Sequence, residues 1–521
     1  MIVKKKYSKL ALLCLTLVFA VNSIGLSFAA NILQAEESAK SYNITNPYEK
    51  VNWNTYAQYK ADFHAHYTNS DGANTTAQMV EDHYAKGYDI LAMTDHNYTT
   101  EGWDKVAIGP LSSERKAEIE AGVGRRGIGM IDINNTNEQS ATDHINTFWS
   151  PFNNVTGDTM ATILLKAEEI GGISHINHAG RYTGGANSSD DVSIAASNNA
   201  ETIKKYVDLF KAYPTCVGME IINKIDNESK SERILWDNIL KEMMPTGRFV
   251  FGFSNDDTHS LDATGYSWNV MLMPRLSQAE TRIAMENGAF YAVSRVSRLD
   301  GINRFLPTGA QMPGSGNSST LYLLLQPTPS ISNIEVRGNT IAITGADYDL
   351  IEWIADGKVI ATGSTIDLRD YADNVNSYVR AQLKSNTGIA FTQPFGVSEI
   401  EPNNHSVSFS VARGNGSLVT TVDNVDIASN TLVQEGKSVV FMANPNFGFK
   451  VKEWKLNDSV ITGHTADTFT LTNLSSATKV TVEFEGGTLN DLVNEFGCNA
   501  GLGYMGALIM LLALAISRRI Q

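Results

Sequence analysis

Five short runs rich in histidine and carboxylate constrain this chain more than any other feature, because they form one chemical unit only if the fold brings them together. They are Asp62-Phe63-His64-Ala65-His66, followed by Ser70-Asp71-Gly72; Thr94-Asp95-His96-Asn97; Asn137-Glu138-Gln139-Ser140, with Asp143-His144 behind; His175-Ile176-Asn177-His178-Ala179-Gly180-Arg181; and Asn255-Asp256-Asp257-Thr258-His259. Of the 10 histidines, all but His405 and His464 lie between positions 64 and 259. On a strand, residues i and i+2 point to one side, so His64 and His66 can chelate one ion, and Asp257 and His259 repeat that geometry. His175 and His178 are three apart. One strand face cannot present both, and the choice between them stays open.

The runs lie in a segment, from about Ala61 to Arg304, where short apolar stretches alternate with helix-like ones. Ile90–Met93 follows a helix predicted over Thr76–Lys86, Gly171–Ile176 follows Asp158–Ile170, and Phe249–Phe253 follows Lys230–Met244. Strands separated by amphipathic helices predict an α/β domain with a largely parallel sheet. In such domains functional side chains gather at the C-terminal ends of strands, where His96 falls. After the linker Pro313–Ser319 the texture becomes all-β. Residues 320–397 carry a hairpin signal at Asp356-Gly357 and alternation over Ser377–Leu383, and residues 403–486 repeat the pattern around Val407, Phe409 and Val411. Both are expected to be small β-sandwich modules, and the stretch Gly436–Trp454 resembles the β-repeats of bacterial surface proteins.

The two ends carry processing signals. Residues 1–29 run from Lys4, Lys5, Lys6 and Lys9 through an apolar stretch to Ser27-Phe28-Ala29, the order of a secretory signal peptide. Residues 497–521 open with Gly497-Cys498-Asn499-Ala500-Gly501, continue apolar, and end near Arg518 and Arg519. This tail resembles the GCNAG-type C-terminal sorting signals of exported bacterial surface proteins, which implies an exported chain held at the cell surface or envelope through this segment. Removing both ends takes away six positive and no negative charges, moving the formal charge from −15 to −21. So acidic a body does not suit dedicated nucleic-acid binding. Cys216 is the one cysteine outside the two ends, so the body has no internal disulfide, and Cys216 is expected as a small buried apolar residue.

Taken in order, His64-Ala65-His66, Ser70-Asp71-Gly72, Thr94-Asp95-His96, Asn137-Glu138, His178-Ala179-Gly180-Arg181 and Asp257-Thr258-His259 resemble the motifs of the polymerase and histidinol phosphatase (PHP) family of metal-dependent phosphoesterases. The resemblance covers roughly residues 60–305. It implies a distorted (β/α)7 barrel over 30–312, and the stretch from Glu352 to about Phe395 looks like the β-tail of some exported members. It implies that His64, His66, Glu138 and Asp257 hold a first metal, that Glu138 bridges to a second held by His144 and His178, and that Asp71, His96 and His259 hold a third. Two or three divalent ions are therefore expected; mixed histidine and carboxylate ligands suit zinc, manganese or iron alike. Two ions sharing Glu138 would give a bridging hydroxide at neutral pH for attack on a small-molecule or nucleotide phosphoester, with Arg181 clamping a phosphate oxygen. The chain departs from the family at Ala179, where a proline is usual, and in the long spacer before Glu138, which leaves Asp132 and Asp143 as its nearest competitors. Glu220 is poised between a supporting and a purely structural role; Asp95 and Asp256 are expected as supports; His83, His405 and His464 are expected to face solvent. The alternatives are a surface-binding protein with a non-catalytic barrel and a metallohydrolase of a non-phosphate bond.

Overall fold

The computed structural model describes residues 40–303 (apart from 126, 186–187 and 227–230), 326–400 and 403–486. The signal-like segment, the linker Pro313–Ser319 and the sorting-type tail lie outside the described residues. Residues up to Ile400 form one compact unit and those from Glu401 a second.

In the first unit, strand β1 (Ser41–Thr45) is followed by β2 (Ala57–Asp62), helix α1 (Thr76–Ala85), β3 (Ile90–Leu91), β4 (Ile131–Asp132), β5 (Asn137–Gln139), β6 (Ile145–Phe148), helix α2 (Met160–Glu169), β7 (Ile173–Ile176), helix α3 (Ala179–Thr183), β8 (Cys216–Asn223), helix α4 (Glu232–Met243), β9 (Phe251–Asn255), β10 (Ser267–Met273) and β11 (Phe290–Ser294). Local chemistry sets these boundaries. Thr75 caps α1 in a reciprocal box with Gln78, and Met79, Val80, His83 and Tyr84 form its buried stripe. Asn287 ends the helix Gln278–Asn287 because Gly288 takes the left-handed conformation (φ 70).

Two sheets result. One is five-stranded, β5-β6-β7-β8-β9; the other runs β4-β3-β2-β10-β11 and continues into later strands. Pairing is parallel for β2-β3-β4 and for β7-β8-β9, but β5-β6, β6-β7, β2-β10 and β10-β11 are antiparallel. Gln139 and Ile145 are joined by too short a connection for a parallel crossover, so β6 must turn back on β5. The domain is thus mixed α/β, and the expectation of a seven-stranded (β/α) barrel holds only at that coarser level. Among the isolated bridges that join the sheets are Ala65 with Thr258 and His96 with Glu138. Four of the five histidine runs lie at those two bridges.

Residues 330–400 belong to the first unit: Ser330–Arg337, Thr340–Ala346 and Thr365–Asp367 pair as a three-stranded sheet, and the remaining strands join the larger one. Strands β12 (Leu350–Ala355), β13 (Lys358–Thr362), β14 (Tyr378–Ser385), β15 (Gly388–Phe391) and β16 (Phe395–Ile400) extend the larger sheet, with β15 paired to β11 and β16 to β1. The Asp356-Gly357 turn forms as expected between β12 and β13, both residues at positive φ (51° and 74°). The alternation read over Ser377–Leu383 does not become one wet and one dry face: Tyr378 to Leu383 are all buried, because β14 lies inside the sheet with α4 packed across it. That packing is sealed by a buried ion pair. Asp237 accepts from Arg380 Nε at 2.8 Å and Nη2 at 2.7 Å, and from the Tyr378 hydroxyl at 2.8 Å.

In the second unit a five-stranded and a four-stranded sheet enclose Val407, Phe441, Trp454, Val480 and Val482. His405 contacts Glu435 and His464 the Thr468 carbonyl.

Candidate metal centre

The first run leaves the C-terminal end of β2, where the Ala65–Thr258 bridge and the bond from His66 N–H to the Thr258 carbonyl (2.8 Å) fix its register against the fifth run. His64 Nε2 then lies 3.1 Å from Glu138 Oε1 and 3.4 Å from Asp257 Oδ1, and His66 Nε2 lies 3.1 Å from Asp257 Oδ1 and 3.6 Å from Glu138 Oε2. Glu138, on β5, is the hub. Its Oε1 faces His144 Nδ1 (3.0 Å) and His178 Nε2 (3.4 Å), and accepts from Asn177 Nδ2 (2.8 Å), while Oε2 faces His96 Nδ1 at 2.6 Å. On the open side, Asp71 Oδ2 is 3.5 Å from His96 Nε2 and 3.3 Å from His259 Nε2.

All nine ligand-type residues read from the sequence therefore meet in one cluster. Their donor atoms fall into groups that could each hold an ion: His64, His66 and Asp257; His64, Glu138 and His178; His96, Glu138 and His144; and His66, Asp71, His96 and His259. His64 has only Nε2 to offer, because Nδ1 is tied to Glu220 Oε1 at 2.8 Å.

These residues fit metal ions on their own chemistry. His64 Nε2, both ring nitrogens of His66, His178 Nδ1, Glu138 Oε2 and Asp257 Oδ1 are buried without a hydrogen-bond partner. Such atoms cost free energy unless something meets them. The electrostatics agree. Burial pushes the Glu138 carboxyl up, but His64 and His144 outweigh it and hold it well below the usual range. Asp257 is likewise lifted by burial and then held far down by His64 and Lys224. Burial pulls the His66 imidazole down to about 4, so it stays neutral, the form that donates a lone pair. Two of the ligand-type residues also sit on strained backbone, His178 at φ 22 and Asp257 at φ 44. Such strain costs on the order of 1–3 kcal/mol per residue and persists where surrounding structure enforces it.

The supporting residues explain how the ligands are aimed. Glu220, on β8, is fully buried and accepts from His64 Nδ1, Asn255 Nδ2 (2.8 Å), the His178 backbone N–H (2.9 Å) and Asn223 Nδ2 (2.8 Å). It fixes the tautomer and direction of His64. Since all four partners are donors, Glu220→Gln should set an amide N–H against two of them. We expect a 10–100-fold loss of metal affinity (about the range for lost supporting carboxylates), measured by competition with a chromophoric chelator; unchanged affinity would remove Glu220 from the centre. Asp95 accepts from Tyr67 N–H (2.9 Å) and from Ser70 Oγ, bracing the loop that carries Asp71. Asp256 accepts from the backbone N–H groups of Gly265, Tyr266 and Ser267 and ties down the turn beyond Asp257.

Four sequence readings need correction or completion. His175 lies in the apolar interior, its ring stacked 4.8 Å from Phe253, so His178 is the one that reaches the cluster. His83 is not solvent-facing: it is fully buried on the α1 stripe, between the Met79 carbonyl (2.8 Å) and Asp62 Oδ2 (3.2 Å). Asp132 and Asp143 are engaged elsewhere, Asp132 by Lys116 and Trp103 N–H and Asp143 by Lys205 and Tyr206. Arg181 lies on α3 with its guanidinium 5.8 Å from the Tyr182 ring. Two neighbours of the centre escaped the sequence reading. Tyr182 places its ring 5.3 Å from His144 and 5.6 Å from His178. Lys224 Nζ lies 3.3 Å from Asp257 Oδ2. The signal for Lys224 was available: like the histidine runs, it directly follows an apolar strand.

No family model and no curated protein matches this chain. Among solved structures it is similar to a two-domain protein containing a predicted PHP-like metal-dependent phosphoesterase from Bacteroides vulgatus, at 15% identity over 68% of this chain and 90% of that one, with a TM-score of 0.34. It is also similar to a lesion-specific endonuclease from Pyrococcus furiosus (15% identity, 44% and 56% covered, TM-score 0.29). A third is an amidohydrolase from Chromobacterium violaceum (16% identity, 38% and 87% covered, TM-score 0.25).

Proposed function

We propose that this chain is an exported metal-dependent phosphoesterase whose reaction takes place at the cluster around Glu138. The observation that carries the reading is the convergence of nine histidine and carboxylate side chains, several with buried atoms that no protein group satisfies. His64, His66, Glu138 and Asp257 would hold a first ion, Glu138, His144 and His178 a second, and Asp71, His96 and His259 a third. Bound divalent ions would supply an acidified water as nucleophile at neutral pH and polarise the phosphoryl oxygens. The chain's own part is orientation: Glu220 aims His64, Asn177 steadies Glu138, and Asp95 holds the loop of Asp71. The most exposed ligands are Asp71 (56%), His259 (30%) and His96 (25%), so substrate would approach over them. Phosphate rather than another bond is supported by the order of motifs from His64 to His259 and by Lys224 beside Asp257. Export and envelope attachment are supported by the two ends of the sequence.

Purified protein should carry two or three equivalents of transition metal by elemental analysis. A chelator should abolish phosphate release from monoesters and alcohol release from diesters, and added metal should restore both. Loaded protein inert on every phosphoester but active on amides would replace the reading with that of another metallohydrolase; metal-free protein at full activity would end it.

A further inference from the structure

Lys224 directly follows the last residue of β8 and has φ 55, a region that residues with a long side chain seldom occupy. The turn is held on both sides: Lys224 N–H donates to the Asn255 carbonyl at 3.0 Å, and its own carbonyl accepts from Ser267 Oγ at 2.7 Å. Asparagine or glycine would meet that backbone at lower cost, so the lysine side chain has a reason of its own. Its side chain is 24% exposed while Asp257, its partner, is 3% exposed, which sets the ammonium at the rim of the centre. Asp257 divides its oxygens. Oδ1 faces His64 and His66, whereas Oδ2 faces Lys224 at 3.3 Å and His178 at 3.9 Å. The ammonium therefore stands at the edge between the first and second ligand groups.

An ammonium has three donors and no lone pair, so Lys224 cannot be a metal ligand. Divalent ions on the ligand side of Asp257 would compete for that carboxylate and repel the lysine at short range. Held by its backbone at the rim, the displaced ammonium would meet whatever anion the ions draw in. We propose that Lys224 binds the non-bridging oxygens of the substrate's phosphoryl group. This rests on the phosphoesterase reading above. Lys224 pairs with Asp257 but cannot itself bind a cation, so with ions bound on the other side of that carboxylate its removal should leave the metal content unchanged.

The test uses the full-length, metal-loaded protein and its K224N and K224R variants. Asparagine accepts the positive φ, so K224N removes the charge without a backbone penalty. Inorganic phosphate is titrated by calorimetry alongside elemental analysis and thermal unfolding. We expect K224N to bind phosphate at least ~10-fold more weakly, about what one charge-assisted contact contributes, with unchanged metal content and an unfolding midpoint no lower than that of the parent. K224R should stay within ~3-fold, since it keeps a charged donor at the same turn. With a phosphomonoester, KM should rise by a similar factor in K224N and kcat should fall less. Parental phosphate affinity in K224N, or loss of metal from it, overturns the assignment. Lysine-dependent phosphate binding without hydrolysis of any ester would instead overturn the phosphoesterase reading and leave Lys224 as an anion site.

Discussion

Glu138→Gln should leave the protein folded, strip it of most of its metal and remove nearly all activity. The carboxylate faces five histidines through its two oxygens, His144, His178 and His64 on one and His96 and His66 on the other, and is fully buried. An amide of the same size removes the negative charge that would balance two cations and turns an N–H toward groups that themselves donate or bind metal. The loss of several kcal/mol of charge stabilisation, at about 1.36 kcal/mol per factor of ten, predicts a fall in rate of roughly 10³-fold or more. Elemental analysis of the variant beside its rate decides the matter. Asp132 and Asp143 cannot take over, being bound to Lys116 and Lys205. A Glu138→Gln protein with full metal and near-parental rate would therefore overturn the two-ion arrangement outright. Replacing Asp71, the most exposed ligand, should cost less, because it touches only the open group.

The candidate centre was legible because its information is local. Four of the five runs follow or end a short strand, the third forms one around Glu138, and the i, i+2 spacing of His64 with His66 and of Asp257 with His259 states their direction without knowledge of the partner. What failed to read was whatever depended on the partner. His83 sits on a helix whose sequence is polar enough to pass for a wet face, but Asp62 and the Met79 carbonyl satisfy it in the interior. His175 and His178 could be separated only once Phe253 claimed the former ring. The β texture after residue 320 was visible, yet periodicity says that a strand exists and not which sheet it joins. β14 is the sharpest case. Its pattern reads as half-exposed, but α4 and the adjoining strands bury both faces, and Arg380 and Gln382 are kept inside by Asp237, Asp300 and Glu352.

That joined sheet sets the limits within which the first unit can be cut. A chain ending after Ile400 should fold, bind metal and retain hydrolysis, since it contains every described strand of the first unit. A chain ending at residue 312, where the sequence alone would place the domain boundary, should not fold. It would lose β15, which pairs with β11 from Ala292 to Ser294, and leave that edge open. It would lose Gln393, whose side chain exchanges hydrogen bonds with both backbone groups of Gly252 on β9 (2.8 and 3.0 Å), the strand that leads to Asp257. It would also strand Asp237 in an apolar setting without Arg380, and removing one partner of a buried ion pair costs about 3–5 kcal/mol. That one loss approaches the roughly 5–15 kcal/mol total stability of an ordinary domain, before the exposed apolar area of Trp236, Ala292 and Val293 is counted. Circular dichroism, thermal unfolding and metal content of the two truncated chains give the answer. A cooperative melt and full metal loading in the shorter chain would show that the later strands are an appendage and not part of the domain that holds the site.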